Sequence, residues 1–494
     1  MSPIQPAIIR RSEHNISRKW ISHNALRVLY RLKEKGYYAY LVGGGVRDLL
    51  LGREPKDFDI ATDARPGEVK KAFRNCRLIG RRFRLAHVHF HDEIIEVATF
   101  RSNMAEEPEA PEAAPAVQPE PPEAAESRLP EPGLPPGAQQ QAPAAPEGPA
   151  VKPKPPRLLK TEDGMILRDN VFGTPEEDAL RRDFTVNALF YNIADFSVID
   201  YVGGMEDLKK GLIRTIGDPA VRFTEDPVRM VRAVRFAAIL GFAVEENTYR
   251  AMMDLRDKVA LASPARMYEE VMKLFLLGEG EKTYQLLRKT GLFGVIFPRL
   301  NEWVDTENDG FPHTWIGKAL EWVDTCVQAG RKVEPHTLFG LMYGQFIEEK
   351  AAEAVKTGLT SLEALTKAVS ETMSEQAQRV MIPRKVGLAM RDMYWNQHRF
   401  EKREGKHPRY FLNRPGFTDA FEYLLFRNEA TGEKSELRAW WREFVKANPA
   451  AGGEAPRQGK GRREPGGKDR ARPPRRRWRG RRREGSPDAH KPKV

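Results

Sequence analysis

Apolar and polar positions follow helical spacing near the start of the chain and then change to a strand pattern. Residues 22–35 carry apolar side chains at helical spacing behind Ser22, which is suited to cap a helix, and Gly36 ends the helix. An apolar strand over 37–42 then leads directly into three glycines and a short helix over 46–52. The pattern therefore predicts a strand, a glycine turn and a helix in succession.

The strand pattern continues through the first half of the chain and gives way to helical spacing after Asp226. Strands are predicted over residues 57–62, 85–90, 93–100, 185–193 and 197–204, with one helix over 65–75. Apolar residues then recur at i, i+3 and i+4 over residues 228–242, 265–277 and 315–327. This order predicts an α+β protein, with a mixed α/β head followed by an all-α neck and body.

Composition changes sharply in two segments, which we predict to be disordered. Residues 105–156 consist largely of Pro, Ala, Glu and Gln, and the residues from 447 onward form a basic tail rich in Gly, Pro and Arg. The predicted organisation is listed here: an N-terminal extension (1–20), a head (21–215) interrupted by the insertion, a neck (216–280), a body (281–446) and the tail (447–494).

Charge and cysteine usage restrict the class of protein. Lys and Arg number 81 against 69 Asp and Glu, and this net charge of +12 favours a polyanionic partner such as nucleic acid. Cys76 and Cys326 lie far apart, without the spacing of a zinc site or a disulfide framework, which favours a reducing compartment. No apolar run reaches the roughly 18 residues that a membrane span requires. We therefore expect a cytoplasmic protein without a transmembrane segment.

The tail carries a candidate RNA-binding cluster. Arginine suits phosphate, and an aromatic ring among arginines offers a surface on which bases stack. The cluster consists of Arg475, Arg476, Arg477, Trp478 and Arg479. A solubilising charge run is the alternative, and we favour RNA binding that is independent of base sequence.

Two aspartates at the start of the strand over 57–62 form a candidate metal site. Side chains alternate along a strand, so Asp57 and Asp59 project from one face while Phe58 points into the core. Hard Mg²⁺ takes oxygen ligands and keeps phosphate oxygens in its remaining positions, so such a pair can hold two ions about 4 Å apart. Glu96, on a neighbouring strand between two apolar residues, is the expected third carboxylate. This arrangement favours phosphoryl transfer.

The glycine turn fits the same chemistry. Residues without a Cβ let backbone amides approach phosphates closely, and the helix that follows offers its N-terminus to negative charge. Gly43 and Gly44 are the expected contacts, and Arg47 adds a cation to the same triphosphate. A glycine turn or an Asp-x-Asp pair alone is weak support, but their combination within one small unit is difficult to attribute to chance.

Histidines and arginines elsewhere leave alternatives open. His87, His89 and His91 share one face of a strand and could bind zinc, but no further ligand completes the set, so we favour a half-exposed strand. Asp226 before Pro227 has the form of a helix cap. The arginines at every third position from Arg229 lie on one side of an apolar helix and require anionic partners or a ligand.

The segments LVGGGVRD and DFDIAT together resemble the class II nucleotidyltransferases, the family of bacterial poly(A) polymerases and CCA-adding tRNA nucleotidyltransferases. RRDFTVNALFY (181–191) and EDPVRMVRAVRF (225–236) resemble two further motifs of this family, in the expected order and spacing. The head and neck segments are more similar to the poly(A) polymerase branch. The resemblance covers most of residues 15–430 but not the long acidic insertion.

The resemblance implies a role for each matching residue. Asp57 and Asp59 would bind the metal ions, with Glu96 as a supporting carboxylate. Gly43, Gly44 and Arg47 would contact the triphosphate. Arg182, Asp183 and Asn187 would hold the sugar and phosphates of the incoming nucleotide. Its base would be read by Glu225, Asp226 and Arg229. Nucleotides are then chosen by protein side chains without a template.

The expected reaction is attack of an RNA 3′-hydroxyl on the α-phosphorus of ATP, with release of pyrophosphate and with two Mg²⁺ ions as cofactors. Expected partners are RNA 3′ ends, ATP as substrate and the RNA-degradation machinery, and we expect a monomer. The nearest alternative is a CCA-adding enzyme, which shares every catalytic motif. A non-catalytic RNA-binding protein is disfavoured by the intact acidic residues, and a phosphohydrolase would need clustered His and Asp in the helical half.

Overall fold

A computed structural model describes residues 5–80, 85–102, 159–160, 166–168, 172–308 and 311–449 of the chain. The strands, in chain order, are β1 (Ala7–Ile9), β2 (Ala39–Val42), β3 (Asp59–Thr62), β4 (Cys76–Ile79), β5 (Leu85–His89), β6 (Ile94–Thr99), β7 (Leu159–Lys160), β8 (Ile166–Arg168), β9 (Leu189–Asn192), β10 (Val198–Asp200), β11 (Leu212–Ile213), β12 (Ala243–Val244), β13 (Glu307–Asn308) and β14 (Phe311–Pro312). Within these described ranges, eight strands form one sheet in the order β1-β10-β9-β2-β3-β6-β5-β4. The mixed head that the sequence predicts is therefore confirmed.

The described part of the head contains five α-helices, of which the pattern predicts the first three, over 22–35, 46–52 and 65–75, and not the last two; the second begins two residues earlier than predicted. They are α1 (His23–Glu34), α2 (Gly44–Leu50), α3 (Pro66–Ala72), α4 (Pro175–Leu180) and α5 (Gly204–Lys210). The predicted cap of α1 is present, because Ser22 Oγ accepts a hydrogen bond of 3.0 Å from the amide of Ala25. The apolar face of α1 packs in the main core.

The centre of the sheet contains its parallel strand pair. Strands β3 and β6 run parallel, with Asp59 opposite Glu96, whereas β2 runs antiparallel to β3, with Val42 opposite Asp59. All four residues of β2 are buried, as expected for a strand covered on both faces. This register brings the end of the glycine turn, the aspartates and Glu96 to the middle of the sheet.

Two local predictions are corrected by the structure. The strand predicted over 185–193 begins only at Leu189, because Thr185–Asn187 form a 3-10 turn whose hydroxyl at Thr185 is bonded to Asp207. The strand predicted over 57–62 begins at Asp59, so Asp57 lies before it, outside the strand. Asp57 and Asn187 therefore lie just outside the ends of strands, whereas Asp59 is the first paired residue of β3.

The second half of the chain is helical, as predicted. Its helices are α6 (Pro219–Glu225), α7 (Val228–Leu240), α8 (Glu246–Leu255), α9 (Pro264–Phe275), α10 (Gly280–Lys289), α11 (Leu292–Ile296), α12 (Pro298–Asp305), α13 (Trp315–Gln328), α14 (Pro335–Lys356), α15 (Ser361–Gln376), α16 (Arg384–Trp395), α17 (His407–Leu412), α18 (Phe417–Thr431) and α19 (Ser435–Ala447). One apolar core runs from the head sheet through α7 and α9 into the body. The neck helices are thereby fixed against the head.

Three further predicted segments have different outcomes. Residues 1–20 were expected to form an extension, yet β1 pairs antiparallel with β10 and so belongs to the head sheet. The insertion 105–156 and the tail cluster Arg475–Arg479 lie outside the described residues. In the part of the chain that is described, no helix is long and apolar enough to cross a membrane.

Candidate active site

A cleft of about 810 Å³ opens between the glycine turn of the head and the neck helices. It is lined by most of the residues that the sequence singles out: Gly43, Gly44, Arg47, Asp57, Asp59, Arg182, Asp183 and Asn187. The neck contributes Arg232, Arg235, Phe236 and Lys273 to the facing wall. Residues that are more than 100 positions apart in the sequence thus line a single cleft.

The glycine turn requires glycine for steric reasons. Gly43 has a φ of 72°, and a Cβ added there would lie 3.3 Å from a guanidinium nitrogen of Arg182 and 3.7 Å from Oδ2 of Asp59. At Gly45 an added Cβ would lie 3.3 Å from the carbonyl oxygen of Asp57. The bare backbone of this turn lets an aspartate and an arginine of the site approach α2.

Both aspartates face the cleft, and Phe58 between them is buried in the core, as predicted. Burial, followed by the nearby charges of Glu96 and Asp57, raises the pKa of Asp59 to about 6, although Arg182 acts in the opposite direction. The ionised form of Asp59 is therefore costly unless a cation compensates it. Carboxylate oxygens crowded in this way are suitable ligands for a hard divalent cation.

Glu96 lies on the neighbouring strand in the predicted register, between the buried residues Ile95 and Val97. Its Oε1 is 3.0 Å from Nε2 of His87, and 47% of its side chain is exposed. Over the described ranges, no three His, Cys, Asp or Glu side chains come close enough to enclose a metal ion. The protein itself supplies a pair of aspartates, so an ion there needs water or substrate oxygens as its other ligands.

A hydrogen bond between Arg47 and Asn187 connects the helix after the glycine turn to the segment 181–187. Arg47 is 6% exposed, and its Nη1 donates a hydrogen bond of 2.6 Å to Oδ1 of Asn187 while its Nε donates one of 2.9 Å to Asp48. Arg182 donates to the carbonyl of Asn187 at 3.3 Å and to the carboxylate of Asp178. The 3-10 turn that replaces the predicted strand therefore presents Asn187 to both cationic residues.

Asp183 connects the head site to the neck. Its Oδ2 accepts hydrogen bonds of 2.8 and 2.6 Å from Arg232, and its Oδ1 accepts one of 3.2 Å from Asn187. Burial opposes the charge of Asp183, but Arg232 and these hydrogen bonds hold its pKa well below the usual range. The predicted need of this arginine for an anionic partner is met by Asp183.

Glu225, Asp226 and Arg229 form a second group beside the cleft. Arg222 donates to Glu225 at 3.0 Å and to the carbonyl of Arg182 at 2.8 Å, which ties this group to the head motif. Burial, followed by repulsion from Arg222, lowers the pKa of the Arg229 guanidinium to about 10. The clustering of buried arginines at this place favours an anionic ligand nearby.

The carboxylate of Asp226 does not cap a helix, although its place before Pro227 has the form of a cap. Pro227 occupies the N-cap position of α7, and no side chain caps that end. Both oxygens of Asp226 instead accept hydrogen bonds, of 2.8 and 2.7 Å, from the guanidinium of Arg266 on α9. Two charge-assisted hydrogen bonds from one guanidinium stabilise the carboxylate more than a single hydrogen bond from a helix amide would.

Sequence reasoning missed the contribution of α9. Its buried Glu270 lies 3.6 Å from Arg232, 3.4 Å from Arg235 and 3.6 Å from Lys273. The spacing of Arg266, Glu270 and Lys273, at i, i+4 and i+7, places them along one helical face and could have identified this group. The cleft also includes Arg53 and Lys56, which no motif or spacing in the sequence singles out.

Family models match this chain in three segments. The model described as Poly A polymerase head domain matches residues 39–214, Probable RNA and SrmB- binding site of polymerase A matches 241–304, and Polymerase A arginine-rich C-terminus matches 357–483.

Individual proteins agree with these models. The chain is 41% identical over 445 residues to poly(A) polymerase I of Salmonella typhi, covering 90% of this chain and 86% of the relative. The CCA-adding enzyme of Lactobacillus gasseri is 34% identical over 268 residues, 54% of each chain. Among solved structures, the Bacillus stearothermophilus CCA-adding enzyme in complex with CTP matches with a TM-score of 0.51 and 24% identity, covering 86% of this chain and 82% of that one. This last likeness supports the fold alone.

Proposed function

We propose, from the premise that this chain belongs to the bacterial poly(A) polymerase I family, that the cleft between head and neck is where ATP meets the 3′ end of an RNA. The protein is an RNA nucleotidyltransferase that transfers AMP from ATP to RNA 3′-hydroxyls and releases pyrophosphate. Identity to the poly(A) polymerases extends over 90% of the chain, against 54% for the CCA-adding relative, so polyadenylation is favoured over CCA addition.

Asp57 and Asp59 are the residues proposed to hold two Mg²⁺ ions. The donor set fits this metal, because both side chains offer hard oxygen atoms and because a cation would offset the cost that burial and neighbouring carboxylates impose on the charge of Asp59. When bound, the ions would supply Lewis acidity at the attacking hydroxyl and charge neutralisation at the triphosphate. Glu96 supports the pair by adding negative charge beside Asp59.

Arg47, Arg182 and the backbone of Gly43 and Gly44 are proposed to hold the triphosphate. Arg47 is pre-oriented by Asn187 and Asp48, so little side-chain freedom is lost when an anion binds. Because the oxygens of Asp183 already accept from Arg232 and Asn187, we infer that Asp183 keeps these two residues pointed at the sugar and phosphates.

Glu225, Asp226 and Arg229 are proposed to select the base. A carboxylate accepts hydrogen bonds and a guanidinium donates them, so an Asp and an Arg side by side match the N6 donor and the ring-nitrogen acceptor of adenine. Arg229 Nε and Asp226 Oδ2 are 4.0 Å apart, which is close enough for both to address one base edge.

The oligomeric state, the cellular location and the further partners of the protein are also proposals. We infer a monomer acting in the cytoplasm on many RNA 3′ ends, with the tail arginines 475–479 as an additional RNA contact and the RNA-degradation machinery as the user of its product. The excess of basic residues supports an RNA partner.

The observation that carries the proposed site is the convergence of the aspartate pair, the glycine turn and Arg182 in one cleft. The test is extension of two end-labelled RNAs, an unstructured oligonucleotide and a tRNA lacking its CCA end, with Mg²⁺ and each nucleotide supplied separately and together. A long ladder on the unstructured RNA with ATP alone is expected, and Asp57→Asn and Asp59→Asn should abolish it without loss of RNA binding. Addition confined to the tRNA, with two C and one A, would reassign the activity, and parallel loss of RNA binding would count against the metal role.

A further inference from the structure

A small aromatic core at the end of the body is separate from the main core. It is formed by buried residues of α17, α18 and α19 together with Phe400. Phe400 and Trp441 contact edge to face with ring centres 5.1 Å apart, and Phe411 contacts Phe417 in the same way at 5.1 Å. This packing fixes the position of α17 and of the loop that precedes it.

The solvent-facing side of α17 and of the loop before it is strongly basic and carries one exposed aromatic ring. We name it the α17 patch and define it by Lys402, Arg403, Lys406, Arg409, Tyr410 and Arg414, all of which are exposed. Tyr410 is 73% exposed, although its neighbours Phe411 and Leu412 are buried. The short helix therefore anchors itself with two apolar residues and turns Arg409 and Tyr410 outward.

The cations of the α17 patch have no anionic partners in the described part of the chain. Residues 399–416 contain six Lys or Arg and two Glu, and one of those, Glu401, accepts instead from Lys434 at 2.8 Å. By contrast, Arg427 on the next helix contacts both Glu348 and Glu433 at 3.1 Å. Charge is thus balanced by ion pairs inside the body but left uncompensated on this face.

We propose that the α17 patch binds single-stranded RNA upstream of the 3′ end, with a base stacked on Tyr410 and phosphates contacted by the surrounding Lys and Arg side chains. Basic grooves with an exposed aromatic ring suit single strands without base preference, because every base has a face that can stack. A protein partner fits less well, since protein interfaces are centred on apolar area and Tyr410 is the one large exposed apolar side chain described over residues 399–416.

The patch would serve the enzyme by holding a growing RNA between additions. Contacts to phosphates are independent of sequence, so the RNA can advance without losing them.

The test compares the full-length protein with Lys402→Gln/Arg403→Gln/Lys406→Gln/Arg409→Gln. Its matched control removes four exposed lysines from the head, as Lys33→Gln/Lys35→Gln/Lys70→Gln/Lys71→Gln. The dissociation constant of an oligo(A) RNA of about 40 nucleotides is measured over a range of salt concentrations, and ATP turnover is measured over a range of RNA concentrations that extends to saturation.

The patch variant is expected to weaken binding by about tenfold or more and to reduce the salt slope by about 0.7 per lost phosphate contact, while kcat stays unchanged and KM for RNA rises. Tyr410→Ala should weaken binding by about fivefold or more, and Tyr410→Phe, which keeps the stacking face, should restore it. Equal losses in the head control would overturn the proposal. Wild-type affinity and salt slope in the patch variant would also overturn it and leave a protein partner as the occupant.

Discussion

Arg47 and Asn187, separated by 140 positions in the sequence, are joined by a buried hydrogen bond of 2.6 Å. The first follows the glycine turn and the second ends the segment 181–187 that begins with two arginines. This bond makes the orientation of Arg47, which we propose contacts the triphosphate, depend on a residue of another motif. The two motifs therefore act as one unit.

We expect Arg47→Lys and Asn187→Ala each to lower kcat/KM for ATP by about ten- to a hundredfold, because lysine lacks the planar fork whose separate nitrogens bond Asn187 and Asp48, and alanine removes the acceptor that orients Arg47. If the contact orients Arg47, the double variant loses less than the sum of the two, with a coupling of about 0.5–3 kcal/mol. The measurement is steady-state polyadenylation over a range of ATP concentrations. Strict additivity of the two losses would contradict the coupling.

Asp59→Asn is expected to abolish polyadenylation yet stabilise the metal-free protein at neutral pH. The pKa of Asp59 rises from 3.8 to about 6 on folding, so the folded state binds the proton more tightly than the unfolded state. The free energy of unfolding therefore falls as pH rises through this interval, by at most about 3 kcal/mol. Denaturant unfolding between pH 4 and pH 7 in a chelator should show this fall in the wild type and not in the variant.

Asp57→Asn is the matched control for that experiment, because Asp57 is exposed. It should lose activity while changing the free energy of unfolding by less than about 0.5 kcal/mol. Added Mg²⁺ should stabilise the wild type and fail to stabilise either variant. A wild-type pH slope in Asp59→Asn would show that another group is responsible.

Regular elements and the cleft-facing aspartates were predictable because they depend on local pattern. The cap at Ser22, the burial of Phe58 and the pairing of Glu96 beside Asp59 all follow from spacing alone. The 3-10 turn at Asn187 and the partner of Asp226 were not predictable, because both are decided by contacts with distant residues, Arg47 and Arg266. Tertiary bonds of this kind override local propensity.

Glu270→Ala is expected to destabilise the protein by about 3–5 kcal/mol, because it leaves buried arginines without their shared carboxylate. Burial lowers the pKa of Arg235 to about 10, and Glu270 is the nearest group that opposes this effect. Glu269→Gln, on the exposed side of the same helix, should change stability by less than about 0.5 kcal/mol. Equal thermal midpoints for the two variants would contradict the stabilising role of Glu270.

Arg266→Gln is expected to relax the choice of nucleotide more than it lowers stability. The guanidinium holds both oxygens of Asp226 and is itself 39% exposed, so its loss frees a carboxylate without leaving a buried charge. If Asp226 and Arg229 select adenine, the ratio of kcat/KM for ATP to that for CTP should fall by about tenfold or more. Arg250→Gln removes an exposed arginine paired with Glu246 and should leave the ratio unchanged. An unaltered ratio in Arg266→Gln, with normal folding, would mean that the base is selected without Asp226.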